Sequence, residues 1–151
     1  MKKINTLLIA LGLGLSASAG INHPSLLFTP QRVEAAKKSL GTDTAMTSAW
    51  QKILAEADLQ LEKGDVRKLE YPALAYQMTG DRKYADKIRE VLLKTAKIKS
   101  WGDREMLARR PAWRSELQMA HRAFQLALAY DAVYNTLSLS LIHISEPTRP
   151  Y

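Results

Sequence analysis

The stretch that decides the fold is Leu69–Leu93, LEYPALAYQMTGDRKYADKIREVLL. Leu69, Ala73, Tyr76 and Met78 recur at the steps that put apolar side chains on one helical face, and Tyr84, Ile88, Val91 and Leu92 do the same further on. Between the two sets stands Thr79-Gly80-Asp81. Gly80 suits the left-handed residue that closes a helix, and Asp81 can accept from the free N–H groups that open the next one. A turn this short predicts two adjacent antiparallel helices, an αα-hairpin. Such a hairpin cannot bury its outer apolar faces alone, so further helices must flank it.

The chain supplies them on both sides. Upstream, Thr29 is placed as an N-cap with Pro30 at the first helical position, where the missing N–H costs nothing, and the helix through Val33, Ala36 and Leu40 ends at Gly41. A second helix opens near Asp43 or Thr44 and carries Met46, Ala49, Trp50, Ile53, Leu54, Ala57 and Leu61 to a break at Gly64-Asp65, about five turns. Trp50 lies in the middle of that stripe and reads as core rather than as a platform for a sugar ring. Downstream, a helix from near Ser115 runs through Leu117, Ala120, Phe124, Leu128 and Tyr134. With Ala123, Leu126, Ala129 and Val133 it is apolar around most of its circumference, which predicts burial on several sides. Its polar exception is the stripe Arg114, Gln118, His121 and Gln125, which faces either a polar central cavity or solvent. The expected class is all-α: antiparallel helical hairpins in succession.

Both ends of the chain differ from this pattern. Lys2 and Lys3 precede the apolar run Leu7–Leu15, and Ala17-Ser18-Ala19 offers small residues at a cleavage site, so residues 1–19 read as a signal peptide. The run is too short to span roughly 30 Å of hydrocarbon, so no stable membrane span is expected after cleavage. Export makes the protein periplasmic or secreted, and with no Cys its stability must come from packing alone. Residues 139–151, LSLIHISEPTRPY, have no helical period. They resemble a translated sequencing adapter, so the expectation is a truncated record whose native part is residues 20–138 and whose true continuation lies past Ser138.

Composition is that of a packed helical domain: 46% hydrophobic, 25% charged, 7% aromatic. The formal charge is +7; without Lys2 and Lys3 it is +5, and Glu146 and Arg149 cancel. A charge of this size suits a polyanionic partner and is also ordinary for a soluble surface. The segment Lys99–Arg114, KSWGDREMLARRPAWR, breaks the helical pattern at Trp101-Gly102-Asp103 and again at Pro111. Long irregular segments in compact domains often carry function. Arg forks beside aromatic faces are what acidic sugars need, which makes Arg109, Arg110, Trp113, Arg114 and His121 the candidate substrate-binding residues. The competing reading is a solvated connector whose Trp side chains plug the helices beneath. His121 has no acidic or Cys partner at ligand spacing, and His23 has no second ligand near it; no metal and no cofactor is expected.

Gly80-Asp81 with Tyr84 and Ala85 also resembles the turn and second helix of a tetratricopeptide repeat, but the break at Trp101–Arg114 spoils any repeat period. A second resemblance covers nearly all of residues 20–138. HPSLLFTPQRV (His23 to Val33), ALAYQMTGDRKYADKIREVL (Ala73 to Leu92) and ELQMAHRAFQLALAYDAVYNTLS (Glu116 to Ser138), in that order, resemble the N-terminal helical domain of heparinase II/III-type polysaccharide lyases and their alginate lyase relatives. The resemblance implies part of an incomplete α/α toroid, and an exported enzyme that cleaves uronate-containing polysaccharide by β-elimination. That chemistry needs a base for the C5 proton, a neutraliser for the carboxylate and an acid for the leaving oxygen. The family's Asn-His pair has no counterpart here, since Asn22-His23 sits at the wrong end. No catalytic residue carries over, and the fragment is expected to be inert. Its expected partner is an acidic polysaccharide rather than nucleic acid. The competing class is a non-enzymatic exported helical scaffold that binds a protein or glycan.

Overall fold

The structure, a computed structural model, describes residues 22–102, 104–112 and 117–137. The signal-peptide and tail readings, with Trp113 and Arg114, lie outside the described residues. Every regular element within them is helical: α1 (Pro30–Leu40), α2 (Thr44–Lys63), α3 (Glu70–Thr79), α4 (Arg82–Ala96), α5 (Arg104–Ala108) and α6 (Leu117–Val133), with 3-10 turns at Val66–Lys68 and Tyr134–Thr136. The class is all-α.

Local chemistry sets the helix ends. Thr29 accepts from the Arg32 N–H ahead of Pro30, and Asp43 accepts from the N–H groups of Ala45 and Met46. Asp81 accepts from the Lys83 N–H, directly after Gly80 has closed α3 at φ 73°. Gly64 closes α2 at φ 60°, and here the glycine answers two demands. Its φ is one that L side chains avoid, and a Cβ would stand 3.0 Å from Lys87 Cε and 3.2 Å from Val91 Cγ2.

Two pairs of contacts fix the helix directions. The Glu70 N–H donates to Gln125 Oε1, and Gln77 Nε2 donates to Ala132 O, so α3 and α6 run parallel in one register for two turns. Asp58 meets Lys83 and Tyr84, while Gly64, six residues on, meets Lys87 and Val91, so α2 and α4 also run parallel. The main core lies where α3, α4 and α6 converge: Leu69, Ala73, Ala85, Ile88, Val91, Leu128, Ala129 and Val133, closed over by Phe28 and Val33. A smaller cluster of Ala57, Ala75 and Tyr84 joins α2 to α3 and α4, with Trp50, Leu54 and Tyr71 against it. Trp50 is half-buried, so the stripe of α2 covers the core from outside rather than filling it.

Two expectations need correction. The helix α6 is not buried on several sides. Leu117 is 80% exposed and Phe124 58%, and Ala120, Ala123 and Ala127 are exposed with them, because α3 and α4 reach it only from one side. The irregular segment also contains a helix. Glu105, Met106, Leu107 and Ala108 are good helix formers, and they wind α5 between the two breaks.

Candidate functional site: a basic segment across the N-terminal half of α6

The core places the predicted segment at one end of the helix array, where α4 finishes and α6 and α3 begin. Trp101 drops onto the main core cluster and is half-buried, and its carbonyl oxygen accepts from Arg122 Nη1 at 3.1 Å. The segment is thereby strapped across the first half of α6. For Trp101 the structural role holds: it plugs the helices beneath. The cations around it face outward. Lys97, Lys99, Arg104, Arg109 and Arg110 are all exposed, and Glu105 is the acidic side chain among the described residues of this run. Arg110 Nη1 donates to the Ala108 and Arg109 carbonyl oxygens, which holds the turn ahead of Pro111. His121, also exposed, stands on α6 one residue from Arg122.

The predicted polar stripe of α6 divides along its length. Gln118 and His121 are exposed, whereas Gln125 is buried and accepts from the Glu70 N–H at the start of α3. Beside it, the Glu70 carboxyl is pushed up from the ordinary carboxylate range by burial, against the lowering pull of its own backbone amide, His121, Lys68 and Gln125. Its Oε2 is buried without a hydrogen-bond partner, as is Arg122 Nε. Of the sequence-predicted site residues, Arg109, Arg110 and His121 are therefore exposed at one end of the fold. Nothing among the described residues gathers three potential metal ligands.

The opposite end holds a constellation that sequence reasoning missed. Asp131, 3% exposed, accepts from the N–H groups of Ser25 and Leu26 at 2.9 Å each, from Ser25 Oγ at 3.3 Å and from His23 Nδ1 at 2.6 Å. Burial pushes this carboxyl up, but the Leu26 amide, His23 and the Ser25 amide together hold it below the ordinary range. An ionised carboxylate can only accept, so Nδ1 carries the hydrogen. The imidazole stacks on Tyr134, ring centroids 3.9 Å apart, and Asn135 Nδ2 donates to the His23 carbonyl oxygen. The signal was Asp131 itself, an acid amid Ala129, Ala132 and Val133 on a nearly apolar helix. A charge in such a place needs partners.

No family model matches this chain, and no curated protein matches it. Among the described residues, no helix is long and apolar enough to cross a membrane.

Proposed function

We propose that this chain is the N-terminal helical part of an exported, periplasmic or secreted polysaccharide lyase that acts on uronate-containing chains by β-elimination. In this reading the antiparallel hairpins belong to an incomplete α/α toroid, and the segment from Lys99 to Arg114 binds the acidic substrate. The observation that carries the proposal is the row of exposed cations strapped to α6 through Trp101 and Arg122. Carboxylates or sulfates spaced along a polymer would meet several of these cations at once, and Arg forks bind such groups in bidentate fashion. The base, neutraliser and acid of the elimination come from outside these residues, so the chain contributes binding rather than catalysis.

Two measurements test the reading. The chain itself should be retarded by immobilised alginate, heparan sulfate or hyaluronan, and released by salt. Joined to its native continuation past Ser138, it should depolymerise such a polymer and create an ultraviolet-absorbing double bond. Retardation by none of the three polymers, or a restored enzyme that leaves all three uncut, would sink the proposal. The second reading, an exported helical scaffold, is favoured by one feature: the exposed apolar row Leu117, Ala120, Phe124 and Ala127 on α6, which suits an unidentified partner helix.

A further inference from the structure

At the end of α6 remote from the basic segment, Pro24, Tyr76, Gln77, Gly80, Ala132 and Asn135 line a cavity of about 240 Å³. The rise from Leu117 to Val133 separates the two ends by about 24 Å. The chemistry of the lining is specific. Gln77 Nε2 is committed to the Ala132 carbonyl oxygen and Asn135 Nδ2 to the His23 carbonyl oxygen. Both partners are pure acceptors, so each amide turns its NH₂ group to the fold, commits one N–H there, and keeps its oxygen and its second N–H. The lining residues therefore bring two amide groups, each with an acceptor oxygen and a spare N–H, and the Tyr76 hydroxyl, together with the apolar rings of Pro24 and Tyr76. None of the six lining residues is charged.

Each property narrows the ligand. Groups that both accept and donate call for a ligand that does the same, as hydroxyls do, whereas a carboxylate or phosphate would find no cation in the lining to offset its desolvation. An ammonium ion would find no carboxylate in the lining to offset its desolvation. Hydroxyl groups around a ring with one apolar face match both the amide groups and the rings of Pro24 and Tyr76. The volume falls below the roughly 300–1,000 Å³ of pockets for drug-sized ligands, which leaves room for one ring rather than a chain. We propose that this cavity is a binding site for a single neutral pyranose ring. The proposal stands independently of the basic segment and of the lyase reading.

Gly80 provides the decisive variant. A Cβ placed there meets nothing within 4 Å, and its φ of 73° is one that Asn tolerates better than other side chains. Gly80→Asn should fill the cavity while the helices stay folded, which a thermal melt checks. The experiment titrates ¹⁵N-labelled protein with the methyl glycosides of glucose, mannose and galactose, with sodium glucuronate as the charged control. Side-chain amide signals of Gln77 and Asn135 should shift and saturate with at least one neutral glycoside. Gly80→Asn should weaken that binding by about tenfold or more, and Tyr76→Phe, which keeps the ring, by up to about tenfold. Three outcomes would overturn the proposal: no shift with any neutral glycoside, a shift that persists undiminished in Gly80→Asn, or glucuronate binding these amides as well as the neutral sugars.

Discussion

His23 Nδ1 and Asp131 Oδ1 lie 2.6 Å apart although 108 positions separate them in the chain. The contact fastens the segment ahead of α1 to the last turn of α6. It also turns Phe28, 8% exposed, onto the main core. The same carboxylate holds the Ser25 and Leu26 amides, so one side chain serves three backbone or ring donors from a single loop.

Asp131→Ala should therefore cost about 1.5–3 kcal/mol, the range for hydrogen bonds to a charged group, and His23→Ala less, since it leaves both amide contacts intact. Urea midpoints of the two variants check this. Equal losses would show that the imidazole, not the carboxylate, holds the segment.

Two carboxyls should pull the stability curve in opposite directions with pH. Asp131 is held below its ordinary value in the fold, so its contribution is present above the unfolded value of about 3.9 and fades as pH falls through the folded one. Glu70 is pushed up by burial, so its contribution is complete below about pH 4.3 and is lost as pH rises through the folded value. In unfolding midpoints taken from about pH 3 to pH 7, the advantage of the native chain over Asp131→Asn should shrink on the acid side. Glu70→Gln should be the more stable protein at neutral pH. If it is less stable there, the ionised carboxylate is engaged and the sign is wrong.

Gly64 and Gly80 share a left-handed φ but differ in surroundings. Alanine at Gly80 should cost about 1–2 kcal/mol, the left-handed penalty alone. At Gly64 the loss should exceed that, because Lys87 can swing aside but Val91, 5% exposed, cannot. Denaturation midpoints of the two alanine variants measure the difference directly. A larger loss at Gly80 would contradict the packing of α2 on α4.

Arg109→Ala and Arg110→Ala should each weaken retention on an acidic polysaccharide by about two- to fivefold at low salt, a modest effect because both side chains are exposed. The double variant should lose more, and both effects should fade as salt shortens the Debye length toward about 8 Å. Affinity columns run at several salt concentrations report this. Wild-type retention in the double variant would make the segment a connector.

How much of this was legible beforehand depended on how local the cause is. Thr29-Pro30, Asp43, Gly64 and Gly80-Asp81 announce helix ends because a cap is satisfied by N–H groups two or three residues away, inside the same short stretch. The periodicity of Leu69–Leu93 announces which face is apolar for the same reason. Tertiary structure alone decided which apolar faces find a partner. Leu128 and Ala129 meet α3 and α4, whereas Leu117 and Phe124 of the same helix meet water. It alone decided that Asp131 would have four donors waiting, and that Gln125, one step along the stripe from the exposed His121, would be buried against Glu70. A helix pattern encodes direction around one axis. It does not encode where a second axis lies, and burial, partnered charge and the cavity beside Gly80 all belong to the space between axes.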